Sequence, residues 1–127
     1  MQNEVVAEWV KKAEEDYKAA SALLPAETPY VICFHTQQCI EKYLKAFLIM
    51  CGETPPQTHN LIRLNNIASK YDNSLDDIYS LLEELNPYSV PIRYPGIVIT
   101  QEDAKTAIRI MNNIREKLRE LINNNGD

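Results

Sequence analysis

Apolar residues recur at steps of three and four along most of the chain. That is the spacing of an amphipathic α-helix, not the alternation of a strand. Val6, Trp9, Ala13, Tyr17, Ala20 and Leu24 make one such stripe. It stops near Leu24, because Pro25 cannot continue a helix and disfavours helical backbone in the residue before it. A second helix is predicted from near Pro29 to about Cys51. Its core stripe is Cys33, Ile40, Leu44, Phe47 and Cys51, widened by Cys39, Tyr43 and Met50. Gly52 suits a C-terminal cap, and Pro55-Pro56 enforces the break.

A shorter helix is expected from about His59 to Ser69, with Leu61, Leu64 and Ala68 inward and Thr58 as its N-cap. Ser74-x-x-Asp77 reads as a capping box opening a fourth helix that carries Ile78, Leu81, Leu82 and Leu85. The fourth helix is acidic, with Asp76, Asp77, Glu83 and Glu84. From Asn86 to Ile99 the pattern breaks around Pro87, Pro91, Pro95 and Gly96. Thr100-x-x-Asp103 is a second capping box, before Ala104, Ile108, Met111, Ile114, Leu118 and Leu121. Ile97-Val98-Ile99 is too short to carry a sheet. The pattern predicts an all-α, mostly antiparallel bundle of about five helices. It forms one domain over 1–127, with a core of about 4–122 and a frayed tail at 123–127.

The 127 residues suffice for one core without metal or disulfide staples. Thirteen Lys and Arg against eighteen Asp and Glu give a net charge of −5. That argues against a general nucleic-acid coat, which needs a basic excess, but not against one local cationic cleft. No apolar run approaches the ~18 residues needed to span a bilayer. Glu4 and Glu8 are foreign to a signal peptide, so a cytoplasmic location with no membrane partner is expected. Cys33, Cys39 and Cys51 are odd in number, lack Cys-x-x-Cys spacing and sit in an apolar pattern, as reduced core thiols do. Two histidines and scattered cysteines offer no metal-ligand spacing, so no metal or cofactor is expected.

On helix two, His35, Gln38, Lys42 and Lys45 follow at steps of three, four and three, so they line up opposite the core stripe. One reading is a solvated face with a Glu41–Lys45 ion pair. The other is a ligand face. Lys42 and Lys45 suit phosphate as flexible point charges, and Arg93, from the Pro-rich loop, suits it as a bidentate fork. Tyr88 and Tyr94 could stack on a base. Asp16 is read as a boundary acid pairing with a helix-two lysine, or as a ligand contact. His59, at a helix start, is expected to bond local backbone.

The run Phe34-His35-Thr36-Gln37-Gln38-Cys39-Ile40-Glu41-Lys42-Tyr43-Leu44-Lys45-Ala46-Phe47-Leu48 resembles the second-helix signature of the HEPN family. The name means higher eukaryotes and prokaryotes nucleotide-binding. Trp9, Ala13, Asp16 and Leu23 precede it in the family's order. Gly52, Pro55-Pro56, Thr58-His59-Asn60-Leu61, Leu64, Tyr88 and Arg93-Tyr94-Pro95 follow it, so the likeness covers about 4–120. The resemblance implies a bundle with one extra short helix, usually a homodimer. It also implies pairing with a minimal nucleotidyltransferase, often as a toxin–antitoxin couple. Many members are metal-independent RNases using Arg, four to six residues, then His, contributed by both subunits. Here His35 and His59 precede Arg63, Arg93, Arg109, Arg115 and Arg119, so that motif cannot be written. Tyr94 likewise lacks the His context of the family's modified tyrosine.

Three expectations result. The first is a non-catalytic module that binds nucleotide or RNA phosphate through His35, Gln38, Lys42, Lys45, Arg93, Tyr94 and Asp16, with a nucleotidyltransferase partner. The second is an RNase toxin with an unorthodox site. The third is a structural dimeric adaptor.

Overall fold

A computed structural model describes residues 3–89 and 98–125. Arg93, Tyr94 and the rest of 90–97 lie outside the described residues. Five α-helices occur among those described: α1 (Glu4–Ala22), α2 (Pro29–Met50), α3 (Leu61–Ala68), α4 (Tyr79–Leu85) and α5 (Gln101–Asn125). No strand occurs among them.

α2 is the axis of the bundle. Ile32, Cys33, Cys39, Ile40, Tyr43, Leu44, Ala46, Phe47 and Leu48 bury its apolar sides, and Thr36, Gln37 and Glu41 are buried too. A helix enclosed on nearly every side needs neighbours all round. α1 packs antiparallel along one side, so Lys45 meets Trp9 while His35 meets Asp16. α5 runs parallel to α2, with Tyr30 near Ile99 at one end and Tyr43 near Arg119 at the other. Ala104, Ala107, Met111, Ile114 and Leu118 supply its core face. α3 and α4 close the third side through Leu61, Leu64, Leu82 and Leu85.

The ends of the helices show where local signals decide. α1 stops at Ala22, since Leu24–Ala26 tightens into a 3-10 turn around Pro25 and Glu27 turns left-handed at φ 54°. α2 ends as expected at Gly52, whose φ is +86°. The Gly52 N–H bonds Ile49 O at 2.9 Å and the Glu53 N–H bonds Leu48 O at 2.9 Å, a Schellman closure. The Thr100–Asp103 capping box forms: the Asp103 N–H reaches Thr100 Oγ1 at 3.1 Å and the Thr100 N–H reaches Asp103 Oδ2 at 2.9 Å.

Two caps differ from the sequence reading. Asn60, not Thr58, opens α3, its Oδ1 accepting from the N–H groups of Ile62 (2.9 Å) and Arg63 (3.2 Å). Thr58 Oγ1 instead accepts the Asn60 N–H at 3.1 Å, which orients the cap. Asp72, not Ser74, starts the next segment; its carboxylate takes both the N–H and the hydroxyl of Ser74. The backbone there winds as a 3-10 helix, Asn73–Ile78, and becomes α-helical only at Tyr79.

Candidate functional site

The polar stripe of α2 does not face open water. It is covered by α1 and by the approach to α3, and two carboxylates organise it.

Asp16 is 7% exposed on α1. Its Oδ1 lies 2.8 Å from His35 Nδ1, and its Oδ2 accepts from Lys42 Nζ at 2.6 Å. A carboxylate oxygen only accepts, so this contact places a proton on Nδ1 and leaves Nε2 on the outer side of the ring. The boundary-acid reading of Asp16 foresaw a lysine partner; the histidine beside it adds a second. Seven residues separate His35 from Lys42, two helical turns, so one acid can bridge both.

Glu41 is the second organiser, its side chain 4% exposed. It accepts from Lys45 Nζ at 3.0 Å, from Gln38 Nε2 at 3.2 Å and from Gln37 Nε2 at 3.4 Å. His59 Nδ1 approaches both Glu41 oxygens, at 3.0 and 3.2 Å. The His59 side chain therefore binds a buried acid rather than local backbone, while its carbonyl accepts from Gln37 Nε2 at 2.9 Å. Lys45 Nζ also stands 5.6 Å from the centre of the Trp9 ring, within cation–π reach.

The fold thus gathers Asp16, His35, Gln38, Lys42 and Lys45 on one face. Arg93 and Tyr94 fall outside the described residues. Tyr88 is described, and it is not on this face. It lies against Cys33 on another side of α2, and burial raises its hydroxyl pKa to about 12. Glu41, Gln37 and His59 belong to the face although the sequence reading gave them no ligand role. The i,i+4 spacing of Glu41 and Lys45 was the one local signal for this cluster. Electrically the face is balanced: two carboxylates answer two lysines.

A second network sits on the other flank of α1. Arg115 grips Glu14 with two hydrogen bonds of 2.7 Å, Nε to Oε2 and Nη2 to Oε1, and its guanidinium lies 3.7 Å from the centre of the Tyr17 ring. The Tyr43 hydroxyl donates to Glu14 and accepts from Arg119 Nη1 at 3.0 Å. Arg115 above all holds the Glu14 carboxyl below its usual range, with help from Tyr43 and Arg119. Burial, with the Glu14 bond second, pushes the Tyr43 phenol up.

The three thiols are free, and Cys33 and Cys39 are buried. Burial raises Cys33 to about 11 and Cys39 further. Thiols held this firmly protonated are poor nucleophiles. Among the described residues no group of three His, Cys, Asp or Glu side chains is placed to hold a metal ion. No described helix is long and apolar enough to cross a membrane.

An all-α bundle centred on this signature helix defines the class. The chain matches the HEPN domain family over residues 6–121, and it belongs to that family. A relative from Methanocaldococcus jannaschii, named "Putative toxin MJ1304", is 27% identical over 130 residues, covering 90% of this chain and 86% of that protein. The crystal structure of ST0689, an archaeal HEPN homologue, superposes with a TM-score of 0.76 at 26% identity, covering 92% of this chain and 97% of that one. TT1696 from Thermus thermophilus shares the fold, with a TM-score of 0.82 at 21% identity, covering 91% of this chain and 97% of that one.

Proposed function

We propose that this chain is a non-catalytic HEPN module that binds the phosphate of a nucleotide or RNA on the α2 face and acts as a homodimer with a minimal nucleotidyltransferase partner. One observation carries the reading: His35 and Lys42 are fixed side by side by the buried Asp16. A carboxylate that holds two nitrogen groups in place reduces the ordering cost of presenting their outer surfaces to an anion. Because the face is balanced overall, attraction is local and short-ranged. Binding is weak, strongly salt-sensitive, and better for nucleotides or short RNA than for long duplex DNA. The name of the Methanocaldococcus relative supports a place in a toxin–antitoxin couple.

Calorimetric titration with ATP and with a short single-stranded RNA at low salt tests the reading. Saturable heat is expected, weakened by Lys42→Ala and by His35→Ala by roughly 1–3 kcal/mol each, with the helical CD spectrum unchanged. No heat with either ligand leaves the structural adaptor as the better account. Sedimentation equilibrium should give twice 14.6 kDa at tens of micromolar; a 14.6 kDa species removes the dimer.

A second reading draws on the same geometry. A histidine oriented by a carboxylate, beside a lysine, has the composition that 2′-OH attack on a phosphodiester needs: a proton acceptor and a cation for the developing charge. The non-catalytic reading expects no cleavage of single-stranded RNA above a mock preparation. Metal-independent cleavage abolished by His35→Ala would establish the RNase instead.

A further inference from the structure

A pair of under-matched cations lies away from the α2 stripe. On that stripe each lysine has its own acid. On the opposite flank of α1, Glu14 is shared by two arginines, Arg115 and Arg119. Glu14 is gripped at both oxygens by Arg115. Arg119 reaches the network through a neutral phenol, donating to Tyr43, with Glu14 Oε1 more distant at 3.6 Å. Its side chain is 39% exposed, and most of its five N–H groups remain to be offered. Lys11, exposed on α1, makes no ion pair within 4.0 Å among the described residues. Two positive charges are therefore left without a hydrogen-bonded carboxylate, in a chain whose net charge is −5.

These two groups line one cavity. It has a volume of about 260 Å³ and lies between α1, α2 and the last turns of α5. Lys11, Arg119 and Asn123 supply its polar groups, Ala7, Val10 and Ile122 its apolar walls, and buried Tyr43 lies beneath it. The volume falls just below the ~300–1,000 Å³ of drug-sized ligand pockets, so only a small molecule fits. The floor is rigid: the Tyr43 ring is fully buried, and its hydroxyl is committed to Glu14 and Arg119.

We propose that this cavity is a binding site for a small phosphate monoester with an apolar body, separate from the α2 face and independent of its function. A monoester carries about −1.5 to −2 charge at neutral pH, which two under-matched cations complement. Arg119 supplies a fork and Lys11 a mobile point charge, the two established ways of holding phosphate. The walls give the ester's body something to touch, which inorganic phosphate cannot use.

The test is calorimetric titration of the full chain with phenyl phosphate, with inorganic phosphate and phenol in separate arms. Saturable binding is expected for the ester, with each of the other two at least about tenfold weaker. Arg119→Gln and Lys11→Gln should each lower affinity roughly tenfold for a lost charged contact. Ala7→Phe, at an exposed position that does not disturb the core, should block the cavity outright, while Arg63→Gln, at an exposed cation on α3, should change nothing. No saturation by about 10 mM ester overturns the proposal. So does binding that survives Ala7→Phe, binding lost in Arg63→Gln, or inorganic phosphate matching the ester. Thermal unfolding of each variant reports that the fold is retained.

Discussion

Glu41 is held by Gln37, Gln38 and Lys45 of its own helix and by His59 from the approach to α3. Removing it would strand Lys45, whose side chain is only 12% exposed, while the Gln37 amide keeps its bond to the His59 carbonyl. Glu41→Ala should therefore cost about 3–5 kcal/mol in urea unfolding, the range for breaking a buried pair from one side. Glu14 has a different signature. Its carboxyl is held below 4.5 by Arg115, Tyr43 and Arg119. A depressed carboxylate adds stability above its unfolded value, and that stability is lost as pH falls through the folded one. The acid limb of the stability curve should thus flatten in Glu14→Gln, while the wild type loses stability progressively below about pH 4.5. A Glu14→Gln curve that parallels the wild type would exclude this origin. Helical spacing alone brings His35, Gln38, Lys42 and Lys45 into line, and it does so here. Which way that line points depends on neighbours, so its burial against α1 was not written in α2. The Glu14–Arg115 grip spans 101 positions and has no local signal at all.

At the scale of the element, the core stripes of α1, α2 and α5 were readable because three or four apolar residues per two turns specify a face. The starts of α3 and α4 were less so. A run such as Thr58-His59-Asn60 contains two competent caps, and the backbone decides between them. Asn60→Ala should cost about 1 kcal/mol and Thr58→Ala roughly half of that, measured by thermal unfolding. At Ser74 the preceding Asp72 accepts the Ser74 hydroxyl proton, which makes serine a donor within the turn instead of the cap. Gly52 isolates a backbone cost. A Cβ there would meet nothing within 4 Å, yet φ is +86°. Gly52→Ala should lose roughly 1–2 kcal/mol from the left-handed conformation alone.

For the whole molecule, net charge misleads about local chemistry. The value of −5 describes a surface that repels long polyanions, yet the cavity beside α1 is lined by two cations, Lys11 and Arg119, and by no acid. Neither the sign nor the place of that excess follows from composition. It arises because α5 returns alongside α1 with Arg115 and Arg119 four residues apart on one face, and only one acid meets them. The family likeness, carried by α2, was legible because the signature lies within one helix.

The parallel docking of α5 on α2 has a kinetic consequence. α1 and α2 are joined by a short turn, so their contacts close small loops and form cheaply. α5 can dock only after the intervening segments have brought the chain back, at a larger loop-closure cost. The α1–α2 hairpin should therefore be largely built in the folding transition state, with α5 joining late. Stopped-flow chevrons should show Ile40→Val slowing folding, and Leu118→Ala mainly speeding unfolding. The reverse pattern would mean that the long-range pair nucleates the bundle. Late docking also makes α5 the first helix to detach, and its amide protons should exchange before those of α2.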